Sequence, residues 1–251
     1  MRYERLDKIM DLLNINKSIN LDVLCEKLDV SKNTIRRDIA QLEQEGKIKK
    51  FYGGISLAES QNDPIPFIER ESSYSNEKKQ IAKIAADLVK PGDVIFIDSG
   101  TTTMHMVPYL AEKGNITIVT YSLNVMIEAA KYNLNLIATG GSLYCPSNSF
   151  VGSTVQHSLK QYNVCHAFMA SSGISLDGGA TNASPLESEN KKFIMKGDSI
   201  KTLLIDHSKF DKRALVTYAD LNEFDNIITS KEPDKVYKDY FNKNNINLYF
   251  G

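Results

Sequence analysis

The sequence contains no tryptophan, only three cysteines and no long hydrophobic run among its 251 residues. Cys25, Cys145 and Cys165 are odd in number and lack paired spacing, which argues against a disulfide framework and predicts a reducing compartment. Neither these thiols nor the histidines have the spacing of metal ligands, so we expect no metal and no other cofactor. No stretch approaches the roughly 20 apolar residues of a membrane helix, and the charged N-terminus lacks an export signal. These absences predict a cytoplasmic protein without a membrane partner.

The chain also lacks an excess of charge of either sign, because it has 30 Lys and Arg residues and 31 Asp and Glu residues, which gives a formal net charge of -1. The charge of the whole chain therefore gives no sign of a nucleic-acid or membrane partner. A local excess lies in residues 31–54, which contain six basic and three acidic side chains. We expect DNA, if it is bound, to lie against this segment.

Residues 1–57 predict a winged helix-turn-helix domain. Apolar residues recur at positions i, i+3, i+4 and i+7 in two segments, which predicts two amphipathic helices. These residues are Leu6, Ile9, Met10 and Leu13, and then Leu21, Leu24, Cys25 and Leu28. A third helix begins after Ser31, a favourable N-cap residue, and ends at Gly46. Residues 47–55 alternate loosely and turn at a glycine pair, which indicates a β-hairpin.

A polar stretch without periodicity, residues 58–76, contains Asp63-Pro64 and Ile65-Pro66, so we predict a linker there.

Residues 77–251 predict a larger α/β domain. In this domain, short continuous apolar runs, which suit strands buried on both faces, are separated by helical stretches. The runs lie at residues 94–97, 116–120, 134–138, 164–169 and 202–205, with a further short one at 227–228. Their alternation with helices predicts a mostly parallel sheet that is covered on both faces.

The third helix of the N-terminal domain has the residue types that contact DNA. Ile35 and Ile39 form its apolar face, which leaves Asn33, Arg36 and Arg37 on the opposite, exposed side. Arginine reads guanine and asparagine reads adenine in the major groove, while lysines and the start of a helix bind phosphates. The candidate DNA-binding residues are Ser31, Lys32, Asn33, Thr34, Arg36, Arg37, Lys47, Lys49 and Lys50. The alternative is a solvated helix with ordinary surface arginines.

The N-terminal motif consists of Arg5-Leu6, residues 31–39, Leu42, Gly46 and the pair Gly53-Gly54. This motif resembles the DNA-binding signature of the DeoR family of bacterial transcription regulators. The resemblance implies that the helix-turn-helix spans about residues 19–38. Within it, Arg36, Arg37 and Asp38 match the family motif position for position. We expect Asp38 to be a structural partner of an arginine or of the backbone rather than a residue that reads bases.

A small, hydroxyl-rich loop, Asp98-Ser99-Gly100-Thr101-Thr102-Thr103, follows the first predicted strand of the larger domain and precedes a helix. Backbone N–H groups and hydroxyls at such a point form a ready anion site, although a plain turn is an equal alternative. Further polar residues follow other strands, at 120–124, 139–141, 171–173 and 206–209. Because ligands bind at the carboxyl edge of open parallel sheets, these residues predict one site at that edge.

Residues 69–230 also resemble the DeoR-type effector domain, whose fold is similar to ribose-5-phosphate isomerase and whose members bind phosphorylated sugars or sugar alcohols. The resemblance implies that Asp98 and Glu187 bind hydroxyls, and that Lys209 and the loop at 99–102 bind phosphate. The candidate effector-binding residues are Lys78, Asp98, Ser99, Gly100, Thr101, Thr102, Thr120, Ser122, Asn124, Gly140, Gly141, Glu187, Lys191 and Lys209. From spacing alone, Lys209 could equally be a surface lysine, and Glu187 with Lys191 could be an ordinary helical salt pair.

The sequence therefore predicts a transcription regulator with a winged helix-turn-helix domain at 1–57, a linker at 58–76 and an effector-binding and oligomerisation domain at 77–251. The resemblance implies a homodimeric or homotetrameric repressor of a sugar utilisation operon, which a phosphorylated sugar releases from operator DNA. The residues at 204–209 and 221–223 resemble those of the branch of the family that includes the lactose and tagatose phosphotransferase repressors. The alternative is a sugar-phosphate isomerase or deaminase-like enzyme that carries a DNA-binding domain.

Overall fold

The computed structural model describes residues 2–16, 18–45, 47–51, 53–57 and 66–251. It divides into two compact units, Met1–Asp63 and Pro64–Gly251. We call these the N-terminal unit and the C-terminal unit and describe each by itself. The predicted end of the third helix at Gly46 and residues 58–65 of the predicted linker lie outside the described residues.

The N-terminal unit contains the predicted helices and hairpin, which confirms the winged helix-turn-helix class. Its elements are α1 (Arg2–Asn16), β1 (Ser18–Asn20), α2 (Leu21–Leu28), α3 (Lys32–Gln44), β2 (Ile48–Phe51) and β3 (Gly54–Leu57). Strands β2 and β3 pair antiparallel, and β1 adds to β3 to give the order β1-β3-β2. The sequence did not predict β1, because three residues are too few to show a period of two.

One apolar core and two caps hold the N-terminal unit together. The predicted apolar faces meet there, with Ile9, Leu13, Leu24, Ile35 and Ile39 at most 2% exposed. The side chain of Asn20 caps α2 by accepting from the backbone N–H of Asp22, and Ser31 caps α3 by accepting from Thr34. These interactions fix the orientation of α3 relative to the rest of the unit.

The C-terminal unit is built on a parallel sheet, which confirms the predicted α/β class. Its strands are β4 (Val94–Ile97), β5 (Thr117–Thr120), β6 (Asn135–Ala138), β9 (His166–Ala170), β12 (Ile200–Ile205), β14 (Asn226–Thr229) and β15 (Asn247–Phe250). Their order in the sheet is β15-β14-β12-β9-β4-β5-β6, and every neighbouring pair runs parallel. Strand β15 was not predicted, whereas the other six correspond to the predicted apolar runs.

Helices cover both faces of this sheet. They are α4 (Phe67–Ser72), α5 (Ser75–Asp87), α6 (Thr101–Met104), α7 (Met106–Ala111), α8 (Leu123–Lys131), α9 (Ser153–Leu159), α10 (Pro185–Met195) and α11 (Lys235–Lys243). Successive side chains of a strand point to opposite faces, so Ile95 and Ile97 pack in one core while Phe96 packs in the other. Because both faces are buried, the central strands read as continuous apolar runs.

Smaller strands surround the sheet. An antiparallel sheet is formed by β10 (Gly173–Ser175), β11 (Gly179–Asn182) and β13 (Val216–Ala219), and β7 (Ser142–Tyr144) pairs with β8 (Ser149–Val151). Short 3-10 helices lie at Cys145–Ser147, His207–Lys209 and Leu221–Glu223. The sequence did not predict these strands, which have only three or four residues each.

The second half of the predicted linker is helical in the structure, which corrects the prediction. Residues 67–72 form α4, and α5 begins at Ser75 rather than at Glu77. Phe67 is 4% exposed and anchors α4 within the C-terminal unit, which explains why this polar segment is ordered. Among the described residues, no helix has both the length and the apolar character to span a membrane.

Candidate DNA-binding surface and effector site

Helix α3 presents a polar face for DNA. Lys32, Asn33, Arg36 and Arg37 are exposed, while Ile35 lies on the buried face at 0% exposure. This is the division that the apolar spacing predicts. The arginine and asparagine side chains can therefore reach base edges if α3 enters a major groove.

Asp38 has the predicted structural role. It is 1% exposed, and its carboxylate binds Arg5 of α1 through Nε at 2.5 Å and through a second nitrogen at 3.2 Å. This paired contact ties α1 to α3 across 33 residues of sequence. Asp38 thus holds α3 against α1 and does not lie on the exposed face of α3.

The hydroxyls at the start of α3 act as caps. Ser31 Oγ accepts from the backbone N–H of Thr34 at 3.3 Å and lies 3.0 Å from Thr34 Oγ1. Both side chains therefore already have partners within the helix. Lys32 forms an ion pair with Asp22 of α2 at 2.6 Å, and both side chains are more than 60% exposed. Exposed pairs of this kind contribute little free energy, so a phosphate can displace Asp22.

The hairpin lysines lie beside acidic residues of α3 and its end. Lys47 pairs with Glu45 at 2.7 Å, and Lys50 pairs with Glu43. Lys49 is also exposed, on strand β2. The structure thus places the nine candidate DNA-binding residues on α3, its N-cap and the hairpin of one small unit, as the sequence predicts.

The loop after β4 is held tightly against β9 in the C-terminal unit. Thr103 Oγ1 donates to the carbonyl of Asp98 at 2.7 Å and accepts from the N–H of Gly100 at 3.1 Å. A Cβ at residue 100 would collide with the Cβ of Ala170, so only glycine fits there. The loop is therefore a rigid, buried structure rather than a plain turn.

Asp98 is fully buried, and its carboxylate is saturated by protein donors. Oδ1 accepts from the N–H of Ser99 at 2.8 Å and from the hydroxyl of Tyr121. Oδ2 accepts from the N–H of Ala170 at 2.8 Å and from the ammonium of Lys191. A carboxylate offers about four acceptor positions, and all four are filled.

Lys191 on α10 pairs with Asp98 and not with Glu187. Its ammonium also donates to the carbonyl of Ala170 at 2.9 Å and lies 5.2 Å from the ring centre of Tyr218. The side chain is 3% exposed, so this is a buried ion pair. The helical salt pair that the spacing of Glu187 and Lys191 allowed is therefore not formed, because Lys191 pairs with Asp98 instead.

Two buried tyrosines complete this network. Tyr121 donates to Asp98, and Tyr218 donates to the carbonyl of Ala170 at 3.1 Å. Burial, together with the charge of Asp98, raises the pKa of Tyr121 and of Tyr218 well above their usual range. Both hydroxyls are therefore neutral donors. Neither residue was among the candidates from the sequence, because an aromatic residue within or beside a strand is most simply interpreted as part of the hydrophobic core.

Glu187 differs from Asp98 in having acceptor capacity left. Its Oε1 accepts from Ser99 Oγ at 2.9 Å and from Ser149 Oγ at 3.2 Å. Among the described residues, the only donor to its Oε2 is Asn182 Nδ2, at the long distance of 3.5 Å. The side chain is 6% exposed at the start of α10. Glu187 can therefore accept a hydrogen bond from a ligand hydroxyl.

Three cations, Arg70, Lys78 and Lys209, form what we call the cation cluster. Lys78 on α5 is 3% exposed and donates to the carbonyl of Arg70 on α4. Burial lowers the pKa of Lys78 to about 8. Asp206 opposes this change in pKa, whereas the positive charges of Lys209 and Arg70 contribute to it. Burial also lowers the pKa of Lys209 and of Arg70.

Arg70 is a further residue that was not among the predicted site residues. Its guanidinium is stabilised by the negative charges of Glu187 and Asp98, which raise its pKa against the larger effect of burial. The charge of Arg70 in turn lowers the pKa of Lys78 and of Lys209. The sequence did not indicate Arg70 because it lies in the predicted linker.

Several other predicted residues have local structural roles. Thr120 Oγ1 donates to the carbonyl of Ile97 at 2.6 Å, and Ser122 Oγ caps α8 by accepting from Val125. A Cβ on Gly141 would lie 2.8 Å from the carbonyl of Val151, so this glycine allows the approach of β8. Asn124 Nδ2 is buried and has no hydrogen-bond partner among the described residues, which leaves it available to a ligand. Gly140 has a φ of +68°, the left-handed conformation of a turn.

Both units match known families. Residues 5–61 match the DeoR-like helix-turn-helix domain, and residues 73–231 match the DeoR C terminal sensor domain. The HTH-type transcriptional regulator IolR of Bacillus subtilis (strain 168) is 38% identical, over 99% of each chain. The lactose phosphotransferase system repressor of Staphylococcus epidermidis is 33% identical, over 91% of this chain and 92% of that protein.

Among solved structures, ribose 5-phosphate isomerase A of Methanocaldococcus jannaschii is similar over 55% of each chain, with 20% identity and a TM-score of 0.42. The similarity to that fold therefore stays a prediction. These two relatives carry the names of a regulator and a repressor, and they match over 99% and 91% of this chain. The family predicted from the motifs is confirmed, and the chain belongs to the DeoR family of transcriptional regulators.

Proposed function

We propose that the protein is a cytoplasmic repressor of a sugar utilisation operon, which a phosphorylated sugar in the C-terminal unit releases from operator DNA. The observation that carries this proposal is the cation cluster together with Glu187, whose negative charge acts on Arg70. Such a site matches a ligand with a phosphate and hydroxyl groups. The exposed basic helix α3 supplies the DNA-binding function of the same chain.

The cation cluster would bind the phosphate. Burial lowers the pKa of all three members, and the neighbouring positive charges lower the pKa of both lysines further, so an incoming dianion stabilises their charged forms. The buried loop of Ser99, Gly100, Thr101 and Thr102 adds hydroxyls and backbone N–H groups nearby. The charges of Glu187 and Asp98 act on Arg70, which supports placing the phosphate-binding cations and the carboxylates in one site.

Glu187 would bind the hydroxyls of the sugar. Its partners Ser99 and Ser149 orient the carboxylate through Oε1 and leave Oε2 for the ligand. Asp98 would act indirectly, because its four hydrogen bonds fix Lys191, the backbone of Ala170 and the loop. This differs from the resemblance-based expectation that Asp98 itself binds a hydroxyl.

Release of DNA requires that the effector bind more tightly to the conformation that has low affinity for DNA. A homodimer or homotetramer would present paired α3 helices to two half-sites of an operator. The 33% identical relative named as a lactose phosphotransferase system repressor supports repression as the direction of control.

The enzyme alternative has a structural objection as far as Asp98 is concerned. A sugar-phosphate isomerase needs a carboxylate or another base that can take a proton from the substrate. Asp98 is fully buried and is held by four donors, one of which is the Lys191 ammonium, so it cannot serve as that base without breaking a buried ion pair. The enzyme alternative would therefore have to use Glu187, and an assay for consumption of the sugar phosphate tests it.

The test is fluorescence anisotropy of a labelled duplex from the gene's upstream region, titrated with protein at a fixed, stated salt concentration. Aldose, ketose and polyol monophosphates are then added one at a time, with each unphosphorylated sugar as a matched control. We expect sequence-specific binding that one phosphorylated compound reverses and its unphosphorylated form does not. Absence of specific binding, with consumption of a sugar phosphate, would contradict the proposal.

A further inference from the structure

A second group of polar side chains lies beside the cation cluster. His207 Nδ1 is 2.6 Å from Glu77 Oε2, although the two residues are 130 positions apart in the sequence. Tyr74 packs its ring edge-on against the imidazole, with 5.0 Å between ring centres. The side chains of His207 and Glu77 are 34% and 22% exposed, so the contact is partly sheltered from water.

The end of β14 closes this group. The N–H of His207 donates to Ser230 Oγ at 3.1 Å, and Lys231 Nζ lies 3.4 Å from Glu77 Oε1 and 3.5 Å from His207 Nε2. Burial raises the pKa of Glu77, but hydrogen bonds from Ser230, His207 and Lys231 outweigh this and lower that pKa overall. Glu77 is therefore ionised at neutral pH and acts only as an acceptor.

The contact with Glu77 determines which nitrogen of His207 donates. Because the Glu77 carboxylate only accepts, Nδ1 of His207 carries a proton and donates it. Nε2 lies 3.5 Å from the Lys231 ammonium. The imidazole ring is thus held between Glu77 and Lys231.

Glu77 and His207 are close in sequence to two members of the cation cluster, so their contact affects where those members lie. Glu77 immediately precedes Lys78 in the first turn of α5, and His207 opens the 3-10 helix that ends at Lys209. The turn is itself rigid, since Asp206 Oδ1 accepts from the N–H of Ser208 at 3.0 Å. Joining Glu77 to His207 therefore joins the backbones that carry the two lysines.

The spacing of the two lysines matters because they repel each other. The charge of Lys209 lowers the pKa of Lys78, whereas the carboxylate of Asp206 raises the pKa of both lysines. Helix α5 already packs against β12 and β14 in the hydrophobic core, and the contact of Glu77 with His207 adds a polar connection close to the lysines. A site that is already assembled binds its ligand more tightly than one that the ligand must assemble.

We propose that Glu77 and His207 are positioning residues that hold Lys78 and Lys209 at the spacing one phosphate group requires. We call the pair the positioning clamp. Neither residue touches the ligand in this proposal, which rests on the proposed binding of phosphate by the cation cluster. Both are ionisable side chains that the phosphate site itself does not use.

The experiment measures binding to the full-length chain by titration calorimetry, with inorganic phosphate and with the sugar phosphate that releases DNA in the panel above. His207→Ala and Glu77→Ala should each weaken binding of both probes by about tenfold, the usual order for residues that orient a binding group. The double variant should be no weaker than either single variant, because both changes open the same clamp.

His207→Asn provides a rescue, since its side-chain amide nitrogen lies close to the place of Nδ1 and can donate to Glu77. We expect it to bind within about threefold of wild type, which a purely structural role for the imidazole ring would not produce. Glu232→Ala is the matched control, because Glu232 forms a similar exposed pair with Lys238 at 2.6 Å. Glu232→Ala should bind both probes with the affinity of wild type.

Each outcome separates the clamp from the proposed function. If wild type binds the probes while His207→Ala and Glu77→Ala bind equally well, the clamp is refuted and the phosphate site stands. If His207→Asn is as weak as His207→Ala although its thermal unfolding is that of wild type, donation to Glu77 is not the cause and the clamp is also refuted. If wild type itself binds neither probe, the proposed function fails as well. Should His207→Ala not fold, Glu77→Ala with wild-type thermal unfolding decides, because it removes the acceptor of the same hydrogen bond and must weaken binding.

Discussion

The affinity of the C-terminal unit for a dianion should fall as the pH rises through about 8, because Lys78 loses its charge there. Burial is the main cause of this low pKa, and the charges of Lys209 and Arg70 add to it. A free lysine has a pKa of about 10.4. A bound dianion stabilises the ammonium form and raises the pKa again, so binding above pH 8 requires the uptake of a proton.

The size of the effect follows from the pKa. With a pKa of about 8, roughly nine tenths of Lys78 is charged at pH 7 and roughly one tenth at pH 9. If only the charged form binds, the affinity falls by about tenfold over this interval. Proton uptake on binding should rise from about 0.1 at pH 7 to about 0.9 at pH 9.

Sulfate is a suitable probe, because it stays a dianion while a phosphate monoester gains its second charge near pH ~6. Titration calorimetry from about pH 6.5 to 9.5, in buffers with different ionisation enthalpies, gives both the affinity and the proton uptake. Lys78→Arg keeps its charge throughout, so its affinity should stay flat across this range. Lys209→Arg should retain the fall near pH 8 that belongs to Lys78.

Two results would refute this reasoning. One is a wild-type affinity that does not change between about pH 7 and 9. The other is an equal fall in Lys78→Arg, which would assign the titration to another group. In either case Lys78 does not govern binding of the anion.

Three further variants test the separate parts of the protein. Arg36→Ala should abolish specific operator binding in the anisotropy assay and leave calorimetric binding of the sugar phosphate intact, because the residue is exposed on α3 in the N-terminal unit; loss of both would indicate misfolding. Lys209→Ala should spare DNA binding and weaken the effector response by at least about tenfold, as expected for a charged contact of about 1.5–3 kcal/mol; an unchanged effector titration would remove Lys209 from the site. Asp98→Asn should lower the free energy of unfolding in urea by about 3–5 kcal/mol, because it leaves the Lys191 ammonium buried without its counter-charge; a loss below about 1 kcal/mol would show that the ion pair is not important for stability.

The N-terminal unit could be predicted from the sequence almost completely. Its helices are set by local apolar spacing, as with Ile35 and Ile39, and by the cap at Ser31. These signals act within a few residues of each other, so they are readable along the chain. The strand β1 was missed because its pairing with β3 is a contact between segments far apart in the sequence.

The parallel sheet was also predictable, since its central strands are apolar on both faces. The site at its edge was predictable in outline, because several polar loops follow strand ends that meet at one edge. The roles within that site were not. Asp98 and Glu187 are both carboxylates of the same predicted type, yet one is saturated by protein donors and the other is not.

The sequence by itself determined the family, the recognition helix, the parallel sheet and the position of the candidate site. Only the tertiary structure decided that Lys191 pairs with Asp98, 93 residues away, and that Arg70 joins Lys78 and Lys209. The physical reason is the range of the interactions. Periodicity and capping act between neighbours in the chain, whereas charge pairing, burial and saturation of hydrogen bonds depend on which distant segments the fold brings together.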